Sequence, residues 1–149
     1  MGAGGGDNPF VMKPYSGLKD VLNFYAKFVY VYETDIKYIE REKDFIAKYQ
    51  NAFYVYKHEF KSIVKEAKQK DLIDIPDNTK GKLLYTKQKT LVLDLCRHFR
   101  NSFVHALMVR DGKEIIIKDK NKQFYTCKGS LKIMSVRDFI SEIVKTYES

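Results

Sequence analysis

A mainly α-helical fold, an antiparallel helical bundle with a small β-hairpin ahead of its last helix, is what this sequence predicts. Three observations carry that expectation. No glycine or proline occurs from Leu18 to Ile75, and apolar residues recur there at helical spacing. A second stretch of the same period runs from about Lys82 to Met108. After it, "EIIIKD" and "QFYTCKGSLKI" are rich in Ile, Phe, Tyr and Thr, with turn residues between them.

The elements follow in order. The opening "MGAGGGDNPF" has neither a charged n-region nor an apolar h-region, so it does not read as a signal peptide. Gly6 stands where a myristoylation pattern wants Ser or Thr. Residues 1–14 read as a flexible glycine-rich leader and residues 15–149 as one helical domain. The first apolar stripe is Leu18, Leu22, Tyr25, Val29, Tyr32, Ile36 and Ile39. It resumes with Ile46, Tyr49, Phe53, Tyr56, Phe60, Ile63 and Ala67. One rod of that length would measure about 80 Å, too long for a compact chain of this size. Two long helices folded back on each other are expected, with the break in Lys37–Lys48 or near Gln50–Asn51. "DIPDNTKG" is a loop, punctuated by Pro76 and Gly81. The third helix, Lys82 to Met108, should end at the turn signal "RDG", Arg110 to Gly112. The hairpin follows, turning at Lys120–Asn121. Ser135 with Asp138 three residues on resembles a helix start, giving a last helix over Val136 to Tyr147.

Composition narrows the function classes. Twenty-seven Lys+Arg against 19 Asp+Glu leave a formal charge of +8, which favours polyanion partners such as RNA, DNA or anionic lipid. Cys96 and Cys127 are the only cysteines, too few for a disulfide framework, and they read as reduced thiols of a cytoplasmic protein. No stretch approaches the roughly 20 apolar residues of a membrane span, so no membrane partner is expected.

The chemistry concentrates in "RHFRNSFVHALM", residues 97 to 108. On a wheel of about 100° per residue, Arg100 falls inside an apolar arc between Leu107 and Leu93. An arginine there must find a partner, since an unpaired buried charge costs several kcal/mol. It can snorkel towards a polar stripe formed by Asn101, Asp94, His105 and His98. Asn101 and His105, four residues apart, share a face and can hydrogen-bond. Arg97 lies between the two groups.

Arg100-Asn101-Ser102-Phe103-Val104-His105 resembles the Arg-x4–6-His motif of the HEPN (higher eukaryotes and prokaryotes nucleotide-binding) superfamily, which often carries asparagine after its arginine. The resemblance extends to the helix order and covers about residues 15–149. It implies a HEPN-like helical bundle that dimerises and a metal-independent ribonuclease, in the role of a toxin or phage-defence effector with a cognate antitoxin or other protein partner. Carried over, Arg100, Asn101 and His105 are the catalytic candidates, and no cofactor or metal is called for. Arg97 and His98 lie outside the motif; the wheel alone makes them weaker substrate-binding candidates.

RNA supplies its own nucleophile, the 2′-OH. A histidine can move the protons near neutral pH, and a guanidinium can hold the phosphate bidentately. In-line transfer wants both an acid and a base, which two motifs across a dimer cleft would supply. Other readings stand beside this one. Arg100 and His105 could serve a structural hydrogen-bond network, and the whole could be a non-catalytic module binding nucleotide, nucleic acid or a protein partner. Asp94 and His98 read as an i,i+4 surface pair. With His105 they are also spaced as metal ligands along one stripe, though no cysteine or further histidine joins them. The tyrosines 25, 30, 32, 49, 54 and 56 read mostly as helix-packing residues. Lys113, Lys118, Lys120, Lys122 and Lys128 on the hairpin fit a solvated protective edge or RNA contact equally.

Overall fold

The computed structural model describes residues 18–75, 81–105, 108–121 and 123–149. The leader, most of the "DIPDNTKG" loop and Lys122 therefore lie outside the described residues. Six α-helices dominate the described part: α1 (Leu18–Thr34), α2 (Glu42–Lys48), α3 (Gln50–Val55), α4 (Gln69–Asp74), α5 (Leu91–Val104) and α6 (Ile133–Glu148). Five strands accompany them: β1 (Val64–Glu66), β2 (Leu83–Tyr85), β3 (Met108–Asp111), β4 (Glu114–Lys120) and β5 (Tyr125–Lys132). All five precede the last helix, as the mainly helical reading with a β-hairpin requires. They form one sheet in the order β1-β2-β5-β4-β3, parallel only between β1 and β2.

The first helix ends without a breaker residue because polar side chains compete for its backbone. Thr34 Oγ1 donates to the Tyr30 carbonyl at 2.7 Å, a back-bond that loosens a helix end. Asp35 then leaves helical geometry, and a 3-10 turn (Ile36–Tyr38) leads to Arg41 in extended conformation before α2. The break thus opens at Asp35, two residues ahead of the expected window. The Asp35 carboxylate accepts from the Tyr49 hydroxyl and pairs with Lys48 Nζ at 2.9 Å, pinning the turn to the next helical segment.

The second long helix is a correction. Tyr49 kinks the chain between α2 and α3, and a π-helical turn (Tyr56–Phe60) follows. Beyond it the helical period gives way to strand. Val64 is fully buried opposite Leu83, Leu83 N–H donates to the Ile63 carbonyl, and Ala67 N–H donates to the Tyr85 carbonyl. Pairing partners distant in sequence outweigh local periodicity here.

The third helix is corrected at both ends. Leu83–Tyr85 is strand, and α5 starts only at Leu91, where the Thr90 hydroxyl caps Leu93 N–H. It ends at Val104 with His105 as C-cap. "RDG" does turn the chain, but between β3 and β4, with Gly112 at a positive φ of 65°. The last helix begins three residues earlier than expected. Ser135 sits inside it, and its hydroxyl donates to Glu59 at 2.7 Å instead of capping.

The core lies between these layers. Phe60, Phe99 and Phe139 meet edge to face, joining the π turn, α5 and α6. Ile115, Ile117, Cys127 and Leu131 bring the sheet into the same cluster. Both cysteines are free and buried, and burial pushes their thiols up. Among the described residues, no helix is long and apolar enough to cross a membrane.

Candidate functional site

Helix α5 carries the site because its cap fixes the register in which its polar residues emerge. Besides Thr90, the Asp94 carboxylate accepts the Gln88 N–H at 2.8 Å and the Lys89 N–H at 3.2 Å. Charge at a helix N-terminus and two satisfied donors together hold this end firmly. Asp94 is therefore buried and spent on the backbone. It is not the surface partner of His98 that the sequence led us to expect.

His98 is the second correction. Its side chain is 0% exposed, its ring lies 5.0 Å from that of Tyr85, and both nitrogens are engaged. Nδ1 donates to Asp119 Oδ2 at 2.9 Å, and Nε2 accepts from Arg97 Nη2 at 3.3 Å. A donor-only guanidinium on one side and an acceptor-only carboxylate on the other leave a single tautomer, with the proton on Nδ1. Burial pulls the His98 pKa below its ordinary 6.5 despite the facing carboxylate. So placed, His98 presents no surface to solvent.

Arg100 and Asn101 extend the same network. Arg100 does not reach for His105. Its Nε lies 2.9 Å from Glu33 Oε1 on α1, and its Nη1 donates to Asn101 Oδ1 at 3.0 Å. Asn101 Nδ2 donates to Asp119 Oδ2 at 2.8 Å, so the expected Asn101–His105 side-chain bond is replaced by one to the sheet. Burial alone would raise the Asp119 carboxyl; the hydrogen bonds from His98 and Asn101 outweigh it and hold the group below its ordinary 3.8. The hydrogen bond from Lys37, with the Arg100 guanidinium beside it, likewise lowers Glu33. Arg97, with its side chain 21% exposed, also lies 3.8 Å from Asp94 Oδ1.

His105 stands apart. It is exposed at the C-cap, its backbone N–H donates to the Asn101 carbonyl, and its imidazole has no hydrogen bond among the described residues. Arg97, His98, Arg100 and Asn101 are thus brought into one network through Asp119, while His105 sits one turn past Asn101. Asp94, His98 and His105 are not gathered as ligands. Among the described residues, no three His, Cys, Asp or Glu side chains are grouped to hold a metal.

Two participants escaped the sequence reading. Glu33 gives no signal beyond its i,i+4 spacing to Lys37, whose Nζ it accepts at 2.9 Å. Asp119 does give one. Along β4 the buried positions are Ile115, Ile117 and Asp119, so a carboxylate occupies an inward register of the strand. Of the hairpin lysines, Lys128 is itself buried and donates to the Leu72 carbonyl at 3.1 Å, so the cluster is not uniformly a solvated edge.

A protein-family model described as HEPN pEK499 p136 matches residues 21–149. No curated protein and no solved structure matches the chain. The matched region takes in α5, the β4–β5 hairpin and every side chain of the network, and it covers most of the sequence. The protein belongs to the HEPN pEK499 p136 family, a family of HEPN-like domains.

Proposed function

We propose that this protein is a metal-independent endoribonuclease of HEPN type, working as a two-fold homodimer whose shared cleft is lined by Arg100, Asn101 and His105 of both chains. The observation that supports it is a contrast within one stretch of α5. Arg100 and Asn101 are oriented by Glu33 and Asp119, whereas the His105 imidazole is exposed and free of hydrogen bonds among the described residues. A fixed guanidinium suits a phosphate clamp, and an uncommitted imidazole suits proton transfer to and from the RNA 2′-OH. Arg97 adds a second cation; His98 is an internal link. One imidazole per site leaves acid or base missing, and a second copy supplies it. A cytoplasmic toxin or phage-defence effector, with a cognate antitoxin or other protein partner, is the setting the family resemblance implies.

One observation favours a second reading, a non-catalytic module that binds nucleotide, nucleic acid or a protein. Glu33 and Asp119 already occupy groups of Arg100 and Asn101, so a phosphate must compete with an internal anion. Incubating the purified protein with mixed RNA in EDTA separates the two. The ribonuclease yields fragments with 2′,3′-cyclic phosphate ends and spares DNA, which lacks the 2′-OH. RNA that is retained but intact points to the module. Cleavage abolished by EDTA and restored by Mg²⁺ or Zn²⁺ overturns the metal-independent mechanism.

A further inference from the structure

We infer that Asp119, a residue of the sheet and outside the Arg-Asn-His motif, is the positioning residue that sets both arginines of the site, Arg100 through Asn101 and Arg97 through His98. The two paths start from one atom. Asp119 Oδ2 accepts from Asn101 Nδ2 at 2.8 Å and from His98 Nδ1 at 2.9 Å. Each of those side chains presents its other face to a guanidinium: Asn101 Oδ1 to Arg100 Nη1 at 3.0 Å, and His98 Nε2 to Arg97 Nη2 at 3.3 Å.

The chemistry of the four groups makes the arrangement directional. A carboxylate only accepts and a guanidinium only donates, so whatever bridges them must donate at one end and accept at the other. Asparagine and neutral histidine are side chains of that kind. Asp119 therefore decides which way the Asn101 amide faces and which nitrogen of His98 carries its proton. Those choices in turn give each arginine an acceptor. Arg97 and Arg100 stand three apart on α5, neighbours on the helix surface, with side chains 21% and 28% exposed. Two guanidinium groups held side by side from beneath form a fork for the phosphate of an RNA backbone.

The strand is shaped to deliver this carboxylate. The β4–β5 register slips between Asp119 and Lys120, an irregularity of the sort that re-aims a side chain next to a site. Ser102 Oγ donates to the Lys118 carbonyl at 3.1 Å, fixing α5 against β4 one residue before Asp119. The hairpin thereby acquires a role: it carries the anchor of the arginine pair.

The geometric half of this inference stands alone, and only the task of the arginines rests on the ribonuclease reading. The test has two arms. In the first, long-range ¹H–¹⁵N spectra of the whole protein are expected to show His98 protonated at Nδ1 and bare at Nε2. The Arg97 and Arg100 guanidinium groups should rotate slowly in the parent and faster in Asp119→Ala. The other tautomer, or equal arginine mobility in both proteins, overturns the inference, whether or not RNA is cut. In the second, RNA cleavage is measured below the melting temperature of every variant. Asp119→Ala should lower kcat about 30-fold with KM within about twofold, because removing a negative charge does not by itself weaken phosphate binding. Asp119→Asn should lose less than about fivefold, since one amide oxygen can occupy the Oδ2 position and accept both bonds. Equal losses in the two variants would mean that charge alone matters, and an unchanged kcat in Asp119→Ala would mean that the arginines are set without this carboxylate; either result ends the positioning role. A parent protein that cuts no RNA removes the ribonuclease reading, and the first arm then decides the positioning role.

Discussion

His98 and His105 lie seven residues apart on the same helix and share a residue type, yet the fold treats them oppositely. His98 is sealed beneath the Arg97 side chain, with each nitrogen matched to one partner and its proton assigned by them. His105 stands at the C-cap in water, with its imidazole uncommitted among the described residues. Burial with complete pairing gives a side chain a structural duty; exposure without pairing leaves it available for chemistry. Two imidazoles that look equivalent on a helical wheel are therefore expected to fail in different ways.

The largest effect separates them by stability. His98→Ala opens a cavity in a packed interior and leaves the Asp119 carboxylate and the Arg97 guanidinium short of a partner. A destabilisation of about 3 kcal/mol is expected, read by denaturant unfolding. The size of the effect follows from burial, where the sequence read His98 as half of a surface pair with Asp94. Unfolding within about 0.5 kcal/mol of the parent would show that the network is not what holds this helix to the sheet.

The complementary effect appears in cleavage. His105→Ala should lower RNA cleavage about 10²-fold while the unfolding curve stays put, because an exposed imidazole contributes little to packing. A His105→Ala protein that folds normally and cuts at the parent rate would end the proposed proton-transfer role. His98→Ala assayed at low temperature, where it remains folded, should retain more activity than His105→Ala; the opposite ranking would invert the comparison.

That the sequence did not separate His98 from His105 has a physical explanation. Helical period, caps and a motif are local, and local signals placed the body of α5, though neither of its ends, and the β4–β5 hairpin. What burial a residue meets depends on the element packed over it. The wheel grouped His98 with Asn101 and His105 as one polar stripe, and nothing local announced that β4 would cover part of that stripe with Asp119. The same limit explains β1 and β2. Val64 and Leu83 are strand because Val64 pairs with Leu83 and Leu83 with Gly129 of β5, not because their own neighbours demand it. The break after Thr34 was missed in detail for another reason, since a hydroxyl back-bond does a breaker's work without a breaker's letter. Asp119 itself was legible in principle: in "EIIIKDK" it continues the inward series of Ile115 and Ile117.

The smallest effect is a pH dependence carried by His98. The groups facing His98 are Arg97 and Asp94 on its own helix, Asp119 from β4 and the Tyr85 ring from β2. Burial first, and then the Arg97 charge, hold its pKa below 6.5, against the upward pull of Asp119. The unfolded chain thus takes up a proton near pH 6.5 that the folded protein refuses until a lower pH. Below 6.5 the unfolded state binds more protons, so stability rises with pH in that window and falls as pH drops towards the folded value. For one proton the slope cannot exceed about 1.4 kcal/mol per pH unit. The lowered Asp119 adds a separate loss, confined to pH values below its ordinary 3.8. His98→Asn keeps a donor at the Nδ1 position for Asp119 but cannot titrate, so it should flatten the curve just below pH 6.5. Stability that instead increases on acidification through this window would mean that His98 is held as a cation by Asp119, and the neutral tautomer on which the Arg97 contact depends would be wrong.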